Sequence, residues 1–331
     1  MKAISLISGG LDSVLATKLI LDQGIDVIGL NCVTPFSSCT HNNCNCVVKR
    51  AANKLGIELK VVNLGEEFLE ILKNPSYGYG KNMNPCIDCK ILMLKKAKEA
   101  MENTGAKFIV TGEVLGQRPM SQKRPTLGLI EKKAGVEGIL VRPLSAKVLD
   151  ATEPEKNGLI DRGKLLGISG RGRTEQIFLA KTFDISDYST PAGGCLLTYQ
   201  GYAKKVDDLI KHNQLTLDNV FLLKIGRHFR LSPQHKLIVG RDEKENIQLF
   251  ALAKKGDWIY EPQEEIRGPV ALGRGEPQGE AQIEQSCRIV ARYCDENKSD
   301  LEIRVKQYGD DSQKNIRCAP FKDSEAFAFR I

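Results

Sequence analysis

Apolar and polar positions in the first two hundred residues switch repeatedly between two periods. Residues 2–7 form a short apolar run that stops at Gly9-Gly10, and residues 11–23 then space their apolar side chains along one helical face. That change of period marks a strand feeding a helix. The pattern recurs: strand at 27–33, helix at 46–55, strand at 58–63, helix at 91–104, a buried strand at 108–111, a further strand at 138–143 and a helix at 171–183. Such alternation predicts an α/β fold with a doubly wound, mostly parallel sheet, whose functional loops lie at the carboxyl ends of the strands.

The texture changes near residue 200. A helix at 202–212 precedes strand-like pieces at 229–231 and 236–239, a helix at 244–254 and a strand at 258–260. The expected organisation is two domains, residues 1–200 and a smaller α+β domain over 201–331, which suits a chain of 331 residues. With 41% hydrophobic and 27% charged residues the composition is that of an ordinary globular protein. The apolar run at the N-terminus is too short for a signal peptide or a membrane span, so the expectation is a cytoplasmic protein with no membrane partner. In a reducing compartment, ten cysteines do not read as a disulfide framework, and a clustered subset reads as metal ligands or redox thiols.

Charge localises a partner. The formal net charge is +7, and residues 118–181 carry thirteen Lys/Arg against seven Asp/Glu, whereas residues 200–331 are nearly balanced at 22 against 21. A phosphate-rich partner should therefore meet the middle of the chain, where Arg118, Lys123, Arg124, Arg171 and Arg173 are the candidates. A solvated basic face is the competing explanation.

The strand–turn–helix junction Ser8-Gly9-Gly10-Leu11-Asp12-Ser13 has the parts of a phosphate grip. The glycines allow close approach and positive φ, free amides and the helix dipole face the anion, and the serines add hydroxyl donors. Asp12 suits a Mg2+ ion bridging the phosphates. The sequence is neither Gly-x-x-x-x-Gly-Lys-Ser/Thr nor Gly-x-Gly-x-x-Gly, which sets aside Walker-type and dinucleotide enzymes. The motif resembles the PP-loop of ATP pyrophosphatases, which have the adenine nucleotide alpha hydrolase-like fold and split ATP between its α and β phosphates. The resemblance implies that Ser8, Gly9, Gly10, Leu11, Asp12 and Ser13 bind the pyrophosphate part of ATP. Thr111, Gly112 and Gln117, after a central strand, are expected on the nucleotide side.

Cys86-Ile87-Asp88-Cys89-Lys90 is a Cys-x-x-Cys at a helix start, and Cys195 follows in a glycine-rich turn. Two close thiolates and one distant one can hold a metal centre with an open position, such as a 4Fe-4S cluster whose fourth iron takes sulfide. Zinc, a persulfide with a resolving thiol, a redox pair and inert thiols compete with that reading. Cys39, His41, Cys44 and Cys46 form a further loop with weak zinc spacing, and Cys32, Cys287, Cys294 and Cys318 read as core or surface thiols. Together with the segments 111–122 and 191–198, the triplet resembles the tRNA thiolation branch of the PP-loop enzymes, the 4-thiouridine synthases and 2-thiouridylases. The likeness spans about residues 1–200, without an N-terminal RNA-binding extension or a rhodanese-like tail. It implies an ATP-dependent sulfurtransferase acting on tRNA, with sulfide or a cysteine desulfurase as sulfur donor and a cluster on Cys86, Cys89 and Cys195. Asp88 or Lys90 would orient substrate or move protons.

Residues 235–258, with Arg241-Asp242-Glu243-Lys244-Glu245-Asn246 before a helix, resemble the RNA-binding module at the end of NFACT proteins. Arg227, Arg230, Arg241 and Lys244 are the RNA candidates there. The competing reading of this part is a structural or dimerising domain, giving a homodimer. Two further functions compete with tRNA thiolation: a PP-loop sulfur transferase or amide-forming ligase for a small molecule, and a noncatalytic RNA-binding or cluster-carrying protein.

Overall fold

Five strands, β1 (Lys2–Leu6), β2 (Asp26–Val33), β3 (Glu58–Asn63), β4 (Ile109–Thr111) and β5 (Leu140–Val141), pair in parallel in the order β3-β2-β1-β4-β5. They belong to a computed structural model that describes residues 1–37, 41–188, 194–295 and 299–331, with the side chains of 41–46 outside the description. The described chain divides into two compact units, Met1–Thr198 and Tyr199–Ile331.

In the first unit the helices α1 (Leu11–Leu21), α2 (His41–Leu55), α3 (Gly65–Lys73), α4 (Cys86–Thr104), α5 (Arg124–Ala134), α6 (Glu153–Lys156) and α7 (Thr174–Thr182) accompany the sheet. The strand period of two sorts the core into layers. Ala3, Val27, Phe108 and Val110 pack with Leu11, Leu15 and Leu19 of α1 and Ala180 of α7. Ile4, Ile28, Leu30 and Ile109 pack with Ile91 and Leu94 of α4 and Ile130 of α5. A strand covered on both faces is largely apolar, and the one polar side chain β1 buries, Ser5, is matched by the Thr17 hydroxyl at 2.8 Å. The sheet is doubly wound as expected.

Central β1 pairs with β2 on one side and with β4 on the other, Leu6 lying opposite both Leu30 and Thr111. The chain thus leaves β1 and β4 in opposite directions, opening a crevice at their carboxyl ends where α/β proteins of this topology take ligands.

The second unit holds α8 (Gln200–Lys211), α9 (Leu217–Leu222), α10 (Glu243–Leu252), α11 (Glu280–Arg292) and α12 (Asp323–Phe327) with six strands. These are β6 (Arg227–Arg230), β7 (Lys236–Val239), β8 (Trp258–Pro262), β9 (Ala271–Arg274), β10 (Leu301–Gln307) and β11 (Gln313–Cys318), paired antiparallel in the order β11-β10-β8-β9-β7-β6. Ile283, Cys287 and Val290 of α11 pack on Phe229, Tyr260, Ile303 and Val305 of the sheet.

Two local expectations change. Helix α2 begins at His41 rather than near residue 46, so the backbone around Cys44 and Cys46 is helical; Cys39 and the side chains of His41, Cys44 and Cys46 lie outside the described residues. Helix α7 begins at Thr174, leaving Arg171 and Arg173 in the loop before it.

Candidate active site

The turn after β1 is braced from within. Gly9 has φ +73°, and a Cβ there would meet Val47 and Val48 of α2 at 3.1 Å, so position 9 needs glycine on both counts. The Ser13 hydroxyl donates to the Gly10 carbonyl at 2.8 Å and accepts from the Ser8 amide at 3.2 Å. Gly10 caps α1 with extended backbone and no side chain of its own, leaving the helix end open toward the crevice.

Asp12 occupies the first turn of α1. Its Oδ2 accepts from Arg173 Nη2 at 3.1 Å, while Oδ1 is buried beside the Gln117 side-chain amide. Burial pushes the Asp12 carboxyl above the usual range, and Arg173 counteracts this in part. Gly112, just past β4, packs against the turn: a Cβ there would lie 2.5 Å from the backbone of Asp12 and Ser13. Thr111 is buried, and its hydroxyl faces Glu113 at 3.4 Å rather than the turn. From the same loop, Gln117 presents its side-chain amide to Asp12. A carboxylate and a side-chain amide at a helix N-terminus without a side-chain cap form a donor set that fits a metal–nucleotide.

The cysteines are gathered by the backbone. Ser37 bridges to Cys195, Leu196 N donates to Phe36 O at 2.8 Å, and Met83 N donates to Leu197 O at 3.3 Å. These ties draw the 195–198 turn onto the segment after β2 and the segment before α4, where Cys86 is the first residue. Cys89 lies within electrostatic reach of Cys195, Cys86 and Cys32, the last at the end of β2. Burial pushes the thiols of Cys32 and Cys89 up to about 12 and that of Cys195 to about 11, and raises Cys86. Among the described residues no three His, Cys, Asp or Glu side chains are already set to hold a metal ion. Three convergent thiols nonetheless match a cluster's donor chemistry, since a coordinated cation deprotonates them.

One guanidinium links the two groups. Arg118 lies within electrostatic reach of Asp12, Cys86 and Cys195.

The Thiamine biosynthesis protein (ThiI) family model matches residues 1–150, and the NFACT protein RNA binding domain model matches residues 226–330. Residues 1–150 are thus similar to the ThiI family, and residues 226–330 to the NFACT RNA-binding domain. The tRNA-specific 2-thiouridylase MnmA of Clostridium acetobutylicum is 34% identical over 124 residues, 34% of this chain and 35% of that protein. The "Probable tRNA sulfurtransferase" of Methanosarcina mazei is 33% identical over 123 residues, 35% of this chain and 29% of that one. The chain thus spans about a third of the length of the curated relatives it matches. A solved 4-thiouridine synthetase–RNA complex with bound ATP aligns at a TM-score of 0.40 and 22% identity, over 66% of this chain and 53% of that one.

Several residues have other tasks than their sequence context suggested. Asp88 is buried and accepts from Ser76 N at 3.1 Å and Tyr77 N at 3.2 Å, so it fixes the preceding loop and is not aimed at a substrate. Lys90 pairs with Glu113 at 3.5 Å, and Glu113 accepts from Arg142 Nε at 3.1 Å, with Glu131 on the other side of Arg142. Glu113 and Arg142 went unnoticed in the sequence. Their signal was two opposite charges inside apolar stretches after β4 and β5.

The basic candidates divide. Arg118, Lys123, Arg124 and Arg171 are exposed, Arg124 also bonding Val148 O. Arg173 is half-buried with its guanidinium on Asp12, which corrects its reading as an RNA contact. In the NFACT-type unit, Arg230 is 12% exposed and binds Asp208 through Nε at 3.1 Å and Nη2 at 2.6 Å, a structural ion pair rather than an RNA contact. Arg227 bonds Gly240 O at 3.1 Å and lies over the Tyr293 ring, and Arg241 pairs with Glu245. Lys244 stays exposed in α10. No described helix is long and apolar enough to cross a membrane.

Proposed function

We propose that this protein is a cytoplasmic ATP-dependent tRNA sulfurtransferase that replaces a uridine carbonyl oxygen with sulfur, giving 4-thiouridine or 2-thiouridine. The observation that carries the reading is that Arg118, in the loop after β4, acts electrostatically on Asp12 of the turn and on Cys86 and Cys195. Activation and sulfur delivery need such adjacency, because an adenylated uridine must meet its sulfur nucleophile before water does.

A uracil carbonyl oxygen is a poor leaving group. Its attack on the α-phosphate of ATP forms a phosphorus–oxygen bond and expels pyrophosphate, which the Ser8–Ser13 amides and hydroxyls receive at the N-terminus of α1. Asp12 would hold Mg2+, which neutralises phosphate charge. Sulfur then bonds to the activated carbon, and the carbon–oxygen bond breaks with AMP leaving. Cys86, Cys89 and Cys195 would hold a 4Fe-4S cluster, whose chemistry is to carry sulfide at an open iron. Lys90, held by Glu113, balances charge beside Cys89. Recruitment of tRNA falls to Arg118, Lys123, Arg124 and Arg171 on the first unit, and to the NFACT-type domain, where Lys244 is exposed.

The gathering of Cys32 with the triplet favours a second route. A cysteine persulfide attacks the activated carbon and AMP leaves; a neighbouring thiol then attacks the cysteine sulfur, freeing the thiouridine and leaving a disulfide for an external dithiol to reduce.

Nucleoside analysis of tRNA from a deletion strain tests the activity: one thiouridine should vanish, and unchanged thiouridines remove tRNA thiolation. Anaerobically purified protein should be brown with broad visible absorbance if the cluster is present. Colourless protein that is active with a persulfide donor selects the second route.

A further inference from the structure

Arg173 reaches the phosphate turn from 161 residues away in sequence, and the fold holds it there. Leu179, Ala180 and Phe183, at the far end of its helix α7, pack with Leu11, Leu15 and Leu19 of α1, the helix that carries Asp12. The loop leading to Arg173 is tied to the loop after β4: Leu115 bridges to Ser169, and Gly170 N donates to Leu115 O at 2.7 Å. Gly170, at φ +86°, turns the chain shortly before Arg173, which is the N-cap of α7. The guanidinium is anchored near the turn at both ends of its segment, yet its side chain is long enough to swing.

Asp12 has one oxygen on Arg173 and the other buried beside the Gln117 amide. A carboxylate committed to a guanidinium is a weak ligand for a divalent cation, since the cation must displace or approach a positive charge. Incoming nucleotide phosphates reverse that balance by giving the guanidinium a stronger, bidentate anion.

We propose that Arg173 is an exchanging cation at the nucleotide site, neutralising Asp12 when the site is empty and passing to the phosphates when a metal–nucleotide arrives. Resting on the assignment of the turn to ATP, this adds a phosphate-binding residue outside the Ser8–Ser13 motif and a barrier to metal binding without nucleotide.

The test compares the wild type with Arg173→Ala and Arg173→Lys at pH 8. Mn2+ binding without nucleotide is followed by electron paramagnetic resonance, and Mg–ATP binding by calorimetry. Removing the guanidinium should tighten Mn2+ binding and weaken Mg–ATP binding, each by about tenfold, the scale of one charge-assisted contact. Arg173→Lys should fall between wild type and Arg173→Ala for both ligands, and it carries the test alone if the alanine variant does not fold. A residue that only braces α7 would weaken both ligands together, and that outcome, or unchanged affinities, overturns the proposal. Failure of the wild type to bind Mg–ATP overturns the nucleotide assignment itself and the exchange with it. Normal wild-type ATP binding with no opposing shift in the variants removes the exchange alone.

Discussion

Gly112 lies against the backbone of Asp12 so closely that a Cβ on it would sit 2.5 Å from the Asp12 carbonyl carbon and oxygen and from the Ser13 nitrogen. Here the strand end of β4 sets the position of the phosphate turn that follows β1. Backbone cannot yield as a flexible side chain does, so Gly112→Ala must push the two loops apart. The expected cost is about 1–3 kcal/mol of stability, with a larger fractional loss of ATP binding than of folded protein. Denaturant unfolding and ATP titration of the variant check this; unchanged binding would show that the turn tolerates displacement.

The Glu113–Arg142 pair is buried, at 3% and 4% exposure, and the Lys90 and Glu131 side chains extend it. Burial opposes ionisation of Glu113, yet Lys90 and Arg142 hold its carboxyl below the ordinary range. Arg142→Met leaves the buried Glu113 carboxylate with Lys90 alone, so urea unfolding at pH 7 should show a loss of about 3 kcal/mol. Because the folded carboxyl is the more acidic one, its contribution is present above the unfolded value of about 4.3 and fades as pH falls through the lower folded value. Acid unfolding of Arg142→Met should therefore begin at a higher pH than that of wild type.

The thiols carry the opposite sign. Burial raises Cys89 to about 12 and Cys195 to about 11, so neither is a thiolate near neutrality in the ligand-free chain. Their contribution to stability is complete below the unfolded thiol value of about 8.5 and is lost as pH climbs toward the folded values. Iodoacetamide labelling of metal-free protein, read by peptide mass spectrometry at pH 7 and pH 9, should find Cys89 and Cys195 far less reactive than unfolded controls. Rapid labelling at pH 7 would contradict this account of their burial.

How much of this could be read in the chain depends on whether it was a local matter. The turn at Ser8–Ser13 and the run of β1 are local, since glycines, hydroxyls and an apolar strand write themselves in consecutive positions. Arg173 on Asp12 is not local, because the packing of α7 on α1 decides it, and its segment reads as a basic stretch. The Asp88 carboxylate looks catalytic beside two cysteines, and only the loop amides of Ser76 and Tyr77 reveal its task. In the second unit, β11 is Gln-Lys-Asn-Ile-Arg-Cys at the sheet edge, with alternate residues exposed. Edge strands carry polar and charged residues that avoid stray pairing, and that hides them from a hydrophobic pattern. Helix α11 starts after Gly279, at φ +76°, with no side-chain cap to announce it.

Arg171 and Arg230 separate two uses of arginine that the sequence renders alike. Arg171 is exposed in the loop before α7, whereas Arg230 is spent on Asp208, where Lys236 and His212 also converge. Burial opposes the charge on Asp208, and Arg230 with Lys236 nevertheless holds its carboxyl below the usual range. Arg230→Ala should therefore lower the stability of the protein by about 3 kcal/mol, the cost of opening a largely buried pair, while folded variant keeps its affinity for tRNA. Arg171→Ala should leave the unfolding midpoint unchanged and weaken tRNA binding uniformly across sequences, reducing the slope of log affinity against log salt by about one. Filter binding over a series of salt concentrations, alongside urea unfolding, distinguishes the two. If Arg230→Ala altered the salt slope without loss of stability, the Asp208 pair would be incidental and the second unit would meet RNA through β6.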